Sequence, residues 1–215
     1  MVTEAAIAVR PSPGDGTEDS AKRRQILEGA RSVFLAQGFD AASMGEIARA
    51  AGVSKGTLYV YFENKEQLFE AIVHGQCQVQ AEGLFNLDPA DRDVEAVLTR
   101  LGTGLVAMMC EPSRASSLRT VIAIAARMPE IGKKFYETGP ACGIAMLGSY
   151  LETQVDAGTL VIEDCEVAAA QFMDSCQSTL FKPVLFNYDS PTTPERIAHV
   201  VGIAVRMFMA AYRAG

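Results

Sequence analysis

The chain reads as an all-α protein, a small N-terminal three-helix domain followed by a larger helical body, about nine helices in all. Three observations carry that reading. Apolar residues recur at three- and four-residue spacing through most of the 215 residues, and no alternating run is long enough for a strand. The periodic stretches end on helix-stopping text: Gly38, Ala51-Gly52-Val53, Asp88-Pro89, Glu111-Pro112-Ser113 and Asp156-Ala157-Gly158. Hydrophobic residues make up 49% and charged residues 21%, a soluble globular composition in which every apolar run is broken before the roughly 18 residues a membrane span needs.

Residues 1–19 hold Pro11, Pro13, Gly14 and Gly16 with four acids and one base. They lack a positive start and an apolar stretch, so they read as a disordered tail and not a signal peptide, and the protein is expected in the cytoplasm. Helix one runs from Ser20 or Ala21 to Gln37, with Ile26, Ala30, Val33 and Phe34 as its stripe and Gly38 at its end. Lys22, Arg23 and Arg24 sit at its start, against the helix dipole. That placement makes sense if the end meets phosphate; a solvated charge run is the plainer alternative.

Ser43 to Lys65 reads SMGEIARAAGVSKGTLYVYFENK, two short helices joined by a tight turn. Met44, Ile47, Ala48 and Ala51 fall at i, i+3, i+4 and i+7, one apolar face, and Ser43 with Glu46 forms a capping box. Ala51-Gly52-Val53 breaks the first helix, with glycine where the backbone needs positive φ. Ser54 caps a second helix in which Leu58 points inward, and small Ala48 lets the two helices cross closely. This is the pattern of a helix-turn-helix, whose second helix lies in a DNA major groove. An ordinary helical hairpin with a solvated face would carry the same spacing.

The outer face of the second helix offers Lys55, Thr57, Tyr59 and, past its end, Tyr61 and Lys65, donors to phosphate and base edges. Gly56 admits close backbone approach, and Ser43 and Met44 complete the expected contact set with Lys22 and Arg24. The overall charge of −7 argues against DNA until it is divided. Ser20 to Lys65 carries seven bases and four acids, a net of +3, so a basic head stands on an acidic body.

Helix four starts near Glu63 or Asn64 and buries Leu68, Phe69, Ile72 and Val73. It continues to about Leu84, the single physical link between residues 20–65 and the body at 66–215. Asp91 to Cys110 follows with Val94, Val97, Leu98, Leu101, Leu105 and Met108 inside, then a helix from Arg114 to Arg127. Pro129 opens a segment whose stripe passes Gly139-Pro140 and runs on to Val155. Five cysteines without a CxxC read as reduced, buried thiols, and His74 and His199 stand too far apart for a metal site; neither metal nor cofactor is expected.

The last two helices, Glu166 to Phe181 and Ile197 to Tyr212, are apolar on nearly every side. Such helices are buried on nearly every side, either as central core or against their copies in a symmetric dimer. The dimer reading assigns Ala169, Phe172, Cys176, Leu180, Ile197, Val201, Val205 and Phe208 to a four-helix interface.

From about Lys22 to Val73 the text resembles the DNA-binding domain of the TetR family of bacterial regulators. The matching residues are Ile26 to Phe34, Gly38-Phe39, Ile47-Ala48, Ala51 to Ser54, Gly56 to Tyr59, Tyr61-Phe62, Asn64-Lys65 and Leu68. A second resemblance covers Leu118 to about Asn187, where VIAIAARMPEIGKKFYETGPACG is similar to the body of AefR-like repressors. In that subgroup the position of Ile124 is frequently Glu, so the interior here is more apolar at that point.

The family resemblance implies a homodimer with a small-molecule pocket in its body. The Met-rich, acid-poor middle of the chain suits an apolar or aromatic effector held by Leu105, Met108, Met109, Ile124, Met128, Phe135, Ile144, Phe172, Met173 and Cys176. The reading is a ligand-responsive repressor that places two recognition helices in successive major grooves, about 34–36 Å apart. Lys22, Arg24 and Lys65 clamp phosphate, Thr57, Tyr59 and Tyr61 hold backbone, and Lys55, Gly56 and Met44 face base edges. The alternatives are an activator or a ligand-independent regulator of the same fold. An all-α enzyme would need a nucleophile with its base, or paired carboxylates, inside the body, and no His is placed for that.

Overall fold

A computed structural model describes residues 16–188 and 192–215, except for the side chains of 16–18 and 73–82. Residues 1–15 of the expected tail, and the side chains of Val73, His74 and Cys77, lie outside the described residues. Among the described residues there are eleven helices and no strand; one isolated antiparallel bridge joins Leu160 to Arg213. The chain divides into two compact units between Phe69 and Glu70.

The first unit holds α1 (Gly16–Ala41), α2 (Met44–Ala50), α3 (Lys55–Tyr61) and the start of α4 (Lys65–Leu84). Helix α1 begins at Gly16, four residues before the expected start. Gly38, at φ 81°, kinks it, and the chain turns so that Phe39 folds back against Phe34. Phe34, Phe39 and Phe69 then form a triangle of rings with centroids 5.4–5.6 Å apart. Pairs of this kind contribute about 0.5–1.5 kcal/mol each beyond the area they bury. Ile26, Ala30, Ile47, Leu58 and Leu68 complete the core, all at 0% exposure.

The second unit holds the rest of α4, then α5 (Val94–Met109), α6 (Pro112–Ala125), α7 (Pro129–Thr138), α8 (Pro140–Asp156), α9 (Cys165–Gln177), α10 (Phe181–Leu185) and α11 (Pro194–Tyr212). The apolar stripe of α5 (Val97, Leu98, Leu101, Leu105) is buried with Leu147 and Leu151 of α8, Phe172 of α9 and Val201 of α11. Phe208 of α11 sits between Phe172, edge to face at 5.6 Å, and Tyr212, tilted at 4.8 Å. Gln154 is a fully buried polar side chain. It receives Arg92 Nη1 at 3.0 Å and donates to the Pro89 carbonyl at 3.2 Å, so both ends of its amide are satisfied.

Eleven helices replace the expected nine for two reasons. The segment from Pro129 is two helices, because Pro140 lacks an N–H and Gly139 before it takes φ −114°, ψ −93°, outside the helical region. The other addition is α10, a single short turn past the end of α9.

The interface assignment on the last two helices is corrected. Ala169, Phe172, Cys176, Leu180, Ile197, Val201, Val205 and Phe208 are all buried within the chain, between 0 and 7% exposed. A side chain with no free surface has none to give a partner. These residues build the core around α5 instead.

Candidate nucleic-acid interface and cavity

Helix α2 begins on the expected capping box: Ser43 Oγ accepts from the Glu46 amide at 3.3 Å, and the Ser43 amide donates to Glu46 Oε2 at 3.0 Å. The hydroxyl and amide of Ser43 hold the Glu46 carboxyl below its usual range. The turn that follows is pinned from both sides. Gly52 takes φ 64° and the Val53 amide returns to the Ala48 carbonyl at 3.0 Å. From α1, Gln25 Nε2 donates to the Ala51 carbonyl at 2.7 Å. Gly29 packs so closely there that a Cβ would stand 2.6 Å from Ala51 Cα. Any side chain at Gly29 would therefore move the turn that aims α3.

Ser54 caps α3, accepting from the Thr57 amide at 3.0 Å, and its hydroxyl lies 2.8 Å from Thr57 Oγ1. With Leu58 at 0% exposure the opposite face is fixed outward. It carries Lys55, Gly56, Tyr59 and Val60, with Thr57 and Tyr61 half-buried beside them. The Lys55 side chain lies across Gly45 of α2, where a Cβ would be 3.1 Å from Lys55 Cε. Met44 is half-buried, and Arg24 and Ser43 are exposed. Lys22 Nζ reaches Gln25 Oε1 at 3.1 Å, and the Arg23 guanidinium sits 5.4 Å from the centre of the Phe62 ring.

Lys65 departs from its expected role. Its ammonium donates to three carbonyls at the end of α1 and just beyond, those of Phe39 at 2.8 Å, Asp40 at 3.0 Å and Ala42 at 3.2 Å. It also lies 4.7 Å from the centre of the Phe39 ring. An ammonium has three protons, and all three are used here. A phosphate contact would have to displace a carbonyl.

Sequence reasoning missed Gly45 and Val60. Val60 is 82% exposed, an apolar side chain turned outward where a thymine methyl could meet it. The signal was available: two residues past Leu58 is about 200° around a helix, hence opposite the core. Gly45 carried none, since only the packed geometry shows Lys55 crossing it.

The second unit holds a partly open cavity of about 260 Å³. Leu105, Met108, Met109, Phe135 and Met173 line it. Ile124, Phe172 and Cys176 do not: they are core residues at 0–2% exposure, and burial pushes the Cys176 thiol up to about 12. Met128 and Ile144 are half-buried and outside the wall. The rest of the wall comes from Phe85, Leu118, Phe181, Gly139, Pro140 and Gly143, with Arg114, Ser117, Asp174 and Gln177 as its polar part. Three phenylalanines with few polar groups suit a flat, largely apolar guest. No helix among the described residues is long and apolar enough to cross a membrane.

The family model "Bacterial regulatory proteins, tetR family" matches residues 26–72, and "AefR-like transcriptional repressor, C-terminal domain" matches residues 96–214. Among curated proteins, the HTH-type transcriptional regulator AcrR of Shigella flexneri is 37% identical over 73 residues, 31% of this chain and 34% of that one. The HTH-type transcriptional repressor Rv1474c of Mycobacterium tuberculosis is 42% identical over 53 residues, 25% of this chain and 28% of its own length. The match thus spans about a third or less of these curated relatives. Solved structures extend the likeness. A TetR-family transcriptional regulator from Mesorhizobium loti superposes with a TM-score of 0.83 at 28% identity, covering 91% of this chain and 98% of that one. The Flavonoid-responsive Regulator FrrA superposes with a TM-score of 0.76 at 28% identity, covering 90% and 98%. With both parts of the chain matched and the helix-turn-helix geometry in place, this protein belongs to the TetR family of bacterial transcriptional regulators, with a body of the AefR-like kind.

Proposed function

We propose that the chain is a homodimeric, ligand-responsive repressor, with residues 20–65 as its DNA-binding head and 66–215 as its effector-binding and dimerising body. One observation carries this reading: a single helix, α4, leads from the unit bearing an outward polar recognition face to the unit holding a largely apolar cavity. In the head, Lys55 and Gly56 meet base edges together with Met44 and Val60, while Tyr59, Tyr61, Thr57, Ser43, Lys22 and Arg24 hold the backbone. Lys65 braces the head from within.

Dimerisation uses the outer surfaces of the last two helices. Val167 on α9 and Ile203 and Met207 on α11 are 48, 39 and 61% exposed, an apolar set that supports a self-complementary contact. The cavity takes a flat aromatic effector, as its three phenylalanines support, and flavonoids are apt first candidates because the structurally similar FrrA is named as responding to them. The effector favours the released arrangement by binding it more tightly than the DNA-bound one.

The test is a gel-shift titration with DNA from upstream of its own gene, first at low salt and then with flavonoids added. A retarded band that an aromatic compound abolishes is the expected result. A protein that retards no fragment, or one that aromatic compounds leave fully bound, contradicts the reading.

A further inference from the structure

We infer that Phe85, seated on the bare backbone of Gly143, is the positioning residue through which cavity occupancy reaches α4. This rests on the effector reading of the cavity given above. Helix α4 ends at Leu84, so Phe85 is the first residue beyond the helix that leads back to the recognition head. Its side chain is 5% exposed and forms part of the cavity wall. A Cβ placed on Gly143 would stand 2.8 Å from Phe85 Cζ and 3.3 Å from Cε2, and 3.4 Å from the Cε of Met173, another wall residue. One residue earlier, Leu84 lies so close to Gly104 of α5 that a Cβ there would be 2.4 Å from Leu84 Cδ1.

Neither glycine serves the backbone. Both lie within helices and neither has positive φ, so alanine would favour each helix. What they provide is room for two consecutive side chains at the end of α4. Gly143 also lines the cavity, so a methyl group there is a minimal permanent occupant pressing on the ring an effector would press on. Gly102, which is not part of the cavity wall, is the contrast: its Cβ would meet Cys176 Sγ and Val201 Cγ1 in the core, each at 2.9 Å.

The experiment compares wild type, Gly143→Ala, the double variant F85L/G143A, Gly104→Ala and Gly102→Ala on the DNA upstream of its own gene, with no effector present. Operator Kd and thermal midpoint are read for each. Gly143→Ala is expected to raise Kd about tenfold, within the usual range of allosteric coupling. F85L/G143A, lacking the ring atoms that clash, returns it to the wild-type value. Gly104→Ala moves Kd in the same direction as Gly143→Ala and keeps the test alive should the latter fail to fold. Gly102→Ala lowers the thermal midpoint and leaves Kd unchanged. A folded Gly143→Ala protein that binds as wild type overturns the inference, as does Gly102→Ala weakening DNA binding equally. Wild-type protein that shifts no DNA overturns the functional reading beneath it instead.

Discussion

Replacing Lys65 by methionine separates two roles for one ammonium group. The side chain keeps nearly its length but loses three charged hydrogen bonds, to the carbonyls of Phe39, Asp40 and Ala42, and the contact with the Phe39 ring. Hydrogen bonds to charged groups contribute about 1.5–3 kcal/mol each when both partners are buried. Lys65 is half-buried, so water can reclaim part of the loss, and the three carbonyls together with the ring contact come to about 3 kcal/mol. For a chain of this size that is a fall of about 6–12 °C in the thermal midpoint, read by circular dichroism. The same variant should leave the slope of log K against log salt unchanged. If Lys65 instead clamps phosphate, the melting point stays where it was and the slope falls by about 0.9 per protomer. Lys65→Arg sharpens the choice. A planar guanidinium serves a phosphate well but cannot converge on three carbonyls, so arginine should restore the charge without restoring the stability. A stable methionine variant with a shallower salt slope would refute the structural assignment.

Tyr59→Ala is expected to weaken binding to matched and mismatched operators alike, whereas Lys55→Ala changes which base is preferred at one position, by about 1–3 kcal/mol; a panel of single-base operator variants distinguishes them. Met207→Glu puts a charge on the exposed α11 face and should convert a dimer to a monomer in sedimentation without lowering helix content. Cys142, which is exposed, should react at once with a thiol reagent, while Cys110 and Cys176 react only on unfolding. Burial raises the Cys176 thiol, and burial followed by the Asp91 carboxylate raises the Tyr150 phenol, both to about 12. The folded chain thus holds these protons more tightly than the unfolded one. Their contribution is intact at neutral pH and is lost as pH climbs through the unfolded values of about 8.5 and 10 towards 12, so the melting point should fall over that window and Cys176→Ala should flatten its lower part.

Local chemistry made the head legible. Ser43 with Glu46, Gly52 and Ser54 act through neighbours three or four residues away, so sequence spacing already contains their geometry. Lys65 shows where that ends. Its partners lie 23–26 residues earlier, and nothing local separates an ammonium facing solvent from one facing the end of another helix. The cavity divides the same way. The methionines of α5 were visible as adaptable filler, but Phe85 past the end of α4, Phe181 of α10 and the Gly139-Pro140 break between α7 and α8 meet at the wall only through the fold, from positions far apart in the sequence.

The misplaced interface has a physical lesson beyond these eight residues. An apolar stripe says that a helix face is dehydrated; it is silent on whether the chain itself or a second copy does the dehydrating. In α11 the dense stripe from Ile197 to Phe208 is consumed by α5 and α9 of the same body. What remains outward is sparse, Ile203 and Met207 among Arg196, His199 and Arg206. An interface taken as a whole is less apolar than a domain core, because a polar rim surrounds its apolar centre. In such a helix the weaker, interrupted stripe is therefore the one to assign to a partner, and the stronger stripe the one to keep for the fold.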